Sequence, residues 1–80
     1  MTIEQFIHTI EPEFDEVTLN TIKPENEFRQ LEGWSSMLSL IIISKIKKVF
    51  NVTITSHELA NAKTIEDLFI IVSNKYATAN

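Results

Sequence analysis

The chain has 80 residues, enough for one modest core and too few for a deep catalytic cleft with its own supporting shell. With 44% hydrophobic residues, one Gly and two Pro it is built to fold, and with no Cys it excludes disulfides, thiolate metal sites and a cysteine nucleophile. The net charge of -4 divides into -6 over residues 1–32 and +2 over residues 33–80. An acidic chain whose one basic cluster is Lys45, Lys47 and Lys48 is a poor ligand for nucleic acid.

Thr2 is placed to cap a first helix, with Gln5 three residues on completing a capping box. Ile3, Phe6, Ile7 and Ile10 then form one apolar stripe, and Pro12 marks the stop. Phe14 and Val17 continue the packing in a short turn or second segment. Residues 18–35 form a long connection with Pro24 and Gly33, too long for an idle loop. Leu19, Ile22, Phe28, Leu31 and Trp34 are spaced along it as apolar pins, so the segment is expected to be ordered across the helix ends.

A second helix is predicted over Ser36–Phe50, with Ser35 as its N-cap and Asn51 as a left-handed C-cap. Leu40, Ile42, Ile43, Ile46, Val49 and Phe50 do not fit one narrow stripe. This helix is therefore either buried on a wide face or leaves aliphatic side chains for partners, and Leu38 and Ile41 are expected away from the buried stripe. Val52-Thr53-Ile54 reads as an extended link with Ile54 turned inward, and Ser56 as the cap of a single-turn helix over 57–61. Thr64 with Asp67 caps a final amphipathic helix with Ile65, Leu68, Phe69 and Val72 inside, fraying over 76–80. The residues 37–43 are too short an apolar run for a bilayer, and Met1-Thr2-Ile3-Glu4 lacks the basic start of a signal peptide. The expectation is one cytoplasmic domain over residues 1–80, with no membrane segment.

Ser36 stands out in Gly33-Trp34-Ser35-Ser36-Met37-Leu38, where a polar loop turns into the long apolar helix. A helix N-terminus gathers unpaired N–H groups and partial positive charge, which suit a phosphate ester on that hydroxyl. The plainer alternative is a second capping residue.

The order of elements resembles the acyl carrier protein family, all-α four-helix bundles with three longer helices, one short helix and a long loop between the first two. The resemblance is carried by Phe28-Arg29-Gln30-Leu31-Glu32-Gly33-Trp34-Ser35-Ser36-Met37, similar to the family's phenylalanine and leucine leading into Asp-Ser-Leu. It extends through Val49-Phe50-Asn51-Val52-Thr53-Ile54 and Ala62-Lys63-Thr64-Ile65-Glu66-Asp67-Leu68. It implies a carrier and no enzyme: Ser36 receives 4'-phosphopantetheine from coenzyme A, and the arm's thiol holds acyl groups as thioesters. The implied partners are a phosphopantetheinyl transferase and acyl-transferring or acyl-modifying enzymes of fatty acid, specialised lipid or polyketide-type biosynthesis. Trp34, Met37, Leu38, Ile41, Lys45 and Lys48 are the partner-binding candidates on a monomer that binds neither nucleic acid nor membrane.

Two departures from the family pattern stand in the chain. Ser35 replaces the aspartate that in the family helps the transferase hold its metal and coenzyme A, and the second helix carries lysines where the family has carboxylates. The competing reading is an unmodified helical interaction module. Trp34 is either a contact or a packing pin, Met37 an arm guide or a gap filler, and the lysines a docking or a solubilising face. His8 and His57 lack metal-ligand spacing, a Ser36-His57-Asp67 triad has no nucleophile elbow, and Glu11, Glu13, Asp15 and Glu16 read as a solvated rim.

Overall fold

Thr2 opens the first helix in the predicted way: its hydroxyl accepts from the Gln5 N–H at 3.2 Å and the Gln5 side-chain oxygen accepts from the Thr2 N–H at 3.0 Å. The computed structural model describes residues 1–79 and contains helices α1 (Ile3–Ile10), α2 (Ser36–Phe50), α3 (Ser56–Asn61) and α4 (Ile65–Ala79). Two short 3-10 turns, Glu11–Glu13 and Phe28–Gln30, flank the long connection, and no strand occurs among the described residues. Pro12 sits inside the first of these turns, where its missing N–H costs nothing. The four-helix, all-α expectation holds.

The core lies where α1 meets α2 and α4. Phe6, Ile10, Ile46, Ile65 and Val72 are fully buried, with Ile42, Phe28 and Leu68 beside them. The Phe6 ring packs against Phe50 of α2 and edge-on against Phe69 of α4, so one side chain of α1 ties both long helices. Val52 and Ile54 turn inward from the extended link and Leu59 fixes α3 to the same core. Asn51 ends α2 in the left-handed conformation at φ 58° and ψ 36°, as its side chain tolerates.

Three expectations are corrected. Thr55, and not Ser56, caps α3, because the box needs Glu three residues on and Glu58 supplies it. The Thr55 hydroxyl accepts from the Glu58 N–H at 3.1 Å, and the Glu58 carboxylate accepts from the Thr55 N–H at 3.0 Å. Leu19 is 60% exposed and pins nothing. Instead of fraying from Tyr76, α4 continues to Ala79; Asn80 lies outside the described residues.

Of the apolar pins expected along the long connection, Ile22 and Phe28 are buried and Leu31 and Trp34 pack against the core, and polar contacts add to them. Asn20 takes a positive φ of 69°, and the Asn26 side chain accepts from the Lys23 N–H at 2.7 Å to close a turn over Pro24. The loop then caps α4: the carbonyls of Asn26 and Pro24 accept the N–H groups of Ile65 and Glu66, each at 2.9 Å. Thr64 and Asp67 complete this helix start as expected, with the Thr64 hydroxyl accepting from the Asp67 N–H at 3.1 Å.

Candidate functional site

Gly33 turns the chain into α2 with φ +83°, a conformation that costs a side-chain-bearing residue strain. The Glu16 side chain closes over the glycine, 3.5 Å from where a Cβ would stand. Trp34 follows, half-buried, stacked on Phe14 with ring centroids 6.0 Å apart and tilted against Phe28 at 5.2 Å. Ser35 is then held extended at φ -155°, and its hydroxyl accepts from the Leu38 N–H at 3.1 Å, the predicted N-cap.

Ser36 is the first helical residue and is exposed. Ser35 already satisfies the Leu38 N–H, so the Ser36 hydroxyl is not needed as a cap; the N–H groups of Ser36 and Met37 have no intrahelical acceptor. No acidic residue lies in the first turn of α2, so none within the helix itself offsets its positive end.

A groove of about 400 Å³ opens beside this serine, between the start of α2 and α3. Trp34, Ser39, Ser56 and Leu59 line it, with Arg29 at one side. Arg29 is a residue the sequence reading missed as a functional element. Its guanidinium donates to the carbonyls of Leu59 at 3.0 Å and Ala62 at 2.5 Å and lies 4.9 Å from the Phe28 ring centre. It thereby holds the C-terminal end of α3 while leaving positive charge in the groove wall. No local pattern links a residue to carbonyls thirty positions away, whereas Ser39 was within reach, one turn beyond Ser36 on the same helix.

On the far side, the Lys75 ammonium donates to the Thr53 carbonyl at 2.9 Å and to the Glu58 carboxylate at 2.7 Å, so α4 also grips α3. That ammonium is the main reason the Glu58 carboxyl is held below the usual carboxylate range, with the Thr55 N–H adding to it. The Asp67 carboxyl is lowered as well, chiefly by the N–H of Thr64 and then that of Lys63.

The partner-binding candidates separate. Met37 is 71% and Ile41 40% exposed, and Lys48 is exposed beyond them on the same side of α2. Lys45 is half-buried at the margin of that side and pairs with Glu13 at 3.9 Å. Trp34 stands apart, in the groove and in its aromatic cluster at once. Leu38 is a correction: it is buried, because the inward stripe runs Leu38, Ile42, Ile46 at intervals of four and leaves Leu40 on the opposite side.

The solvated acidic rim is also corrected at one position. Glu11 is 2% exposed and its two carboxylate oxygens accept the N–H groups of Asn20 at 2.9 Å and Ile22 at 3.1 Å. Asp15 and Glu16 remain exposed. His8 and His57 are both exposed, and no group of three His, Cys, Asp or Glu side chains among the described residues is placed to hold a metal ion. No helix among them is long and apolar enough to cross a membrane.

Comparison with known proteins bears on the same segment. The family described as the phosphopantetheine attachment site matches residues 5–69. An acyl carrier protein of Phytoplasma australiense is 32% identical over 57 residues, covering 71% of this chain and 75% of that protein.

Proposed function

Because the chain belongs to the phosphopantetheine-attachment family that includes the acyl carrier proteins, we propose that Ser36 is its point of attachment for 4'-phosphopantetheine. Proteins of this family are carriers and not enzymes, and membership implies a covalently attached prosthetic group. One observation supports Ser36 above all: its hydroxyl is exposed at the first position of α2, spared from capping by Ser35.

The surroundings of Ser36 fit the group. Two unpaired backbone N–H groups, no first-turn carboxylate and the Arg29 charge in the adjoining groove all favour a phosphodiester. The groove gives an arm a partly apolar bed against Trp34 and Leu59, with the hydroxyls of Ser39 and Ser56 for its amides. When bound, the group supplies a terminal thiol that carries acyl cargo as a thioester. The protein's part is to hold the ester at a rigid helix end, clamp α3 through Arg29 and Lys75, and present Met37, Ile41, Lys45 and Lys48 to enzymes. We read it as a cytoplasmic, monomeric carrier in specialised lipid, fatty acid or polyketide-type biosynthesis.

Ser35 in place of the family's aspartate favours one competing reading, an interaction module that is never modified. Intact-protein mass spectrometry after incubation with coenzyme A and a broad-specificity phosphopantetheinyl transferase separates the two. A gain of one phosphopantetheine that is absent from Ser36→Ala establishes the carrier. No gain with several transferases that load a control carrier refutes it.

A further inference from the structure

The outward face of α2 is chemically divided along its length. At about 100° per residue, Met37, Leu40, Ile41, Ser44, Lys47 and Lys48 fall in one sector, opposite the buried Leu38-Ile42-Ile46 stripe. Met37, Leu40 and Ile41 are 71%, 60% and 40% exposed, so large apolar side chains stand in water immediately beside Ser36. Lys47 and Lys48 lie toward the other end, about 15 Å along the axis from Met37 at 1.5 Å per residue.

Charge on this face is uncompensated. The whole of α2 contains three lysines and no carboxylate. Glu13 stands at its margin and is engaged by Lys45, and among the described residues no carboxylate lies within 4.0 Å of Lys47 or Lys48. The Lys47 ammonium meets the Asn51 side-chain oxygen at 3.1 Å, a neutral partner that leaves its charge unmatched.

Resting on the carrier reading above, we propose that this face docks enzymes whose carrier-binding surface joins an apolar pocket at the active-site entrance to an acidic patch about 15 Å away. The apolar contacts at the Ser36 end supply affinity where the arm must enter. The lysines set orientation and encounter rate, and they place like charges against any enzyme with a basic carrier-binding surface, which excludes it. A second copy of this chain also offers carboxylates, in its residues 1–32. Such a copy seated on Met37 and Leu40 would cover the surroundings of Ser36, and an isolated enzyme surface is the better occupant.

The test uses the full-length protein and two enzymes: a broad-specificity phosphopantetheinyl transferase with a basic carrier-docking surface, and the same transferase with those basic residues changed to glutamate. Loading by coenzyme A is followed for wild type and for K47E/K48E at low and moderate salt. On the basic enzyme, K47E/K48E raises kcat/KM by about tenfold and wild type gains with added salt; on the acidic enzyme the order reverses. Equal kcat/KM for the two carriers on both enzymes overturns the docking proposal and leaves the carrier reading standing. Absence of loading of either carrier, while both enzymes load control carriers, overturns the carrier reading and this one with it. A wild-type dimer in sedimentation that K47E/K48E converts to monomer assigns the face to a second copy and also overturns the proposal.

Discussion

Replacing Glu11 with alanine strips two backbone N–H groups of their acceptor, and the cost follows from where each one sits. The Ile22 N–H is buried, and without the carboxylate it loses about 2 kcal/mol; the Asn20 N–H is close to solvent, regains water and loses about 1 kcal/mol. The sum of about 3 kcal/mol is a large part of the roughly 4–12 kcal/mol available to a domain of this size. Melting followed by circular dichroism should therefore fall by about 12–24 °C. Glu11→Gln keeps one acceptor but turns an amide N–H toward the other donor, so it should lose about 2 kcal/mol. Amide exchange adds a local readout, since Ile22 should lose protection before the residues of α4. A Glu11→Ala protein within about 0.5 kcal/mol of wild type, or an unchanged exchange rate at Ile22, would refute the view that this carboxylate holds the loop leading to Ser36.

Ser35→Ala should cost about 1 kcal/mol by denaturant unfolding, through loss of the cap on the Leu38 N–H. Ser35→Asp keeps that cap and adds favourable charge at the helix start, about 0.5 kcal/mol, and should also speed loading of Ser36; an aspartate variant no more stable than alanine would count against the capping geometry. Lys75→Met tests the grip on α3 through acid titration. Glu58 has a lowered carboxyl pKa in the folded protein, so its contribution is complete above the unfolded value of about 4.3 and is lost as pH falls through the folded value. The variant should raise the Glu58 titration seen by NMR and flatten the loss of stability below about pH 4, while Asp67, governed by backbone N–H groups, titrates as before.

Local chemistry made much of this protein legible in its sequence. The Thr2–Gln5 box, the Ser35 cap, the left-handed Asn51 and the Thr64–Asp67 start each depend on residues within four positions of one another, and so the helices and the exposure of Ser36 could be read directly. The rotation of α2 about its axis could not. With aliphatic residues on nearly every side of that helix, its own sequence favours no single inward direction, and contact with α1 decided that Leu38 goes in while Leu40 stays out. The roles of Glu11 and Arg29 were equally hidden. A carboxylate nine and eleven residues from its donors, and a guanidinium thirty and thirty-three from its acceptors, satisfy backbone groups that only the folded chain brings near. Short-range capping and periodicity thus wrote the helices and the exposed serine at the start of α2 into the sequence, whereas the polar ties of the long loop and the groove wall beside Ser36 come from groups that pair only after the helices have packed.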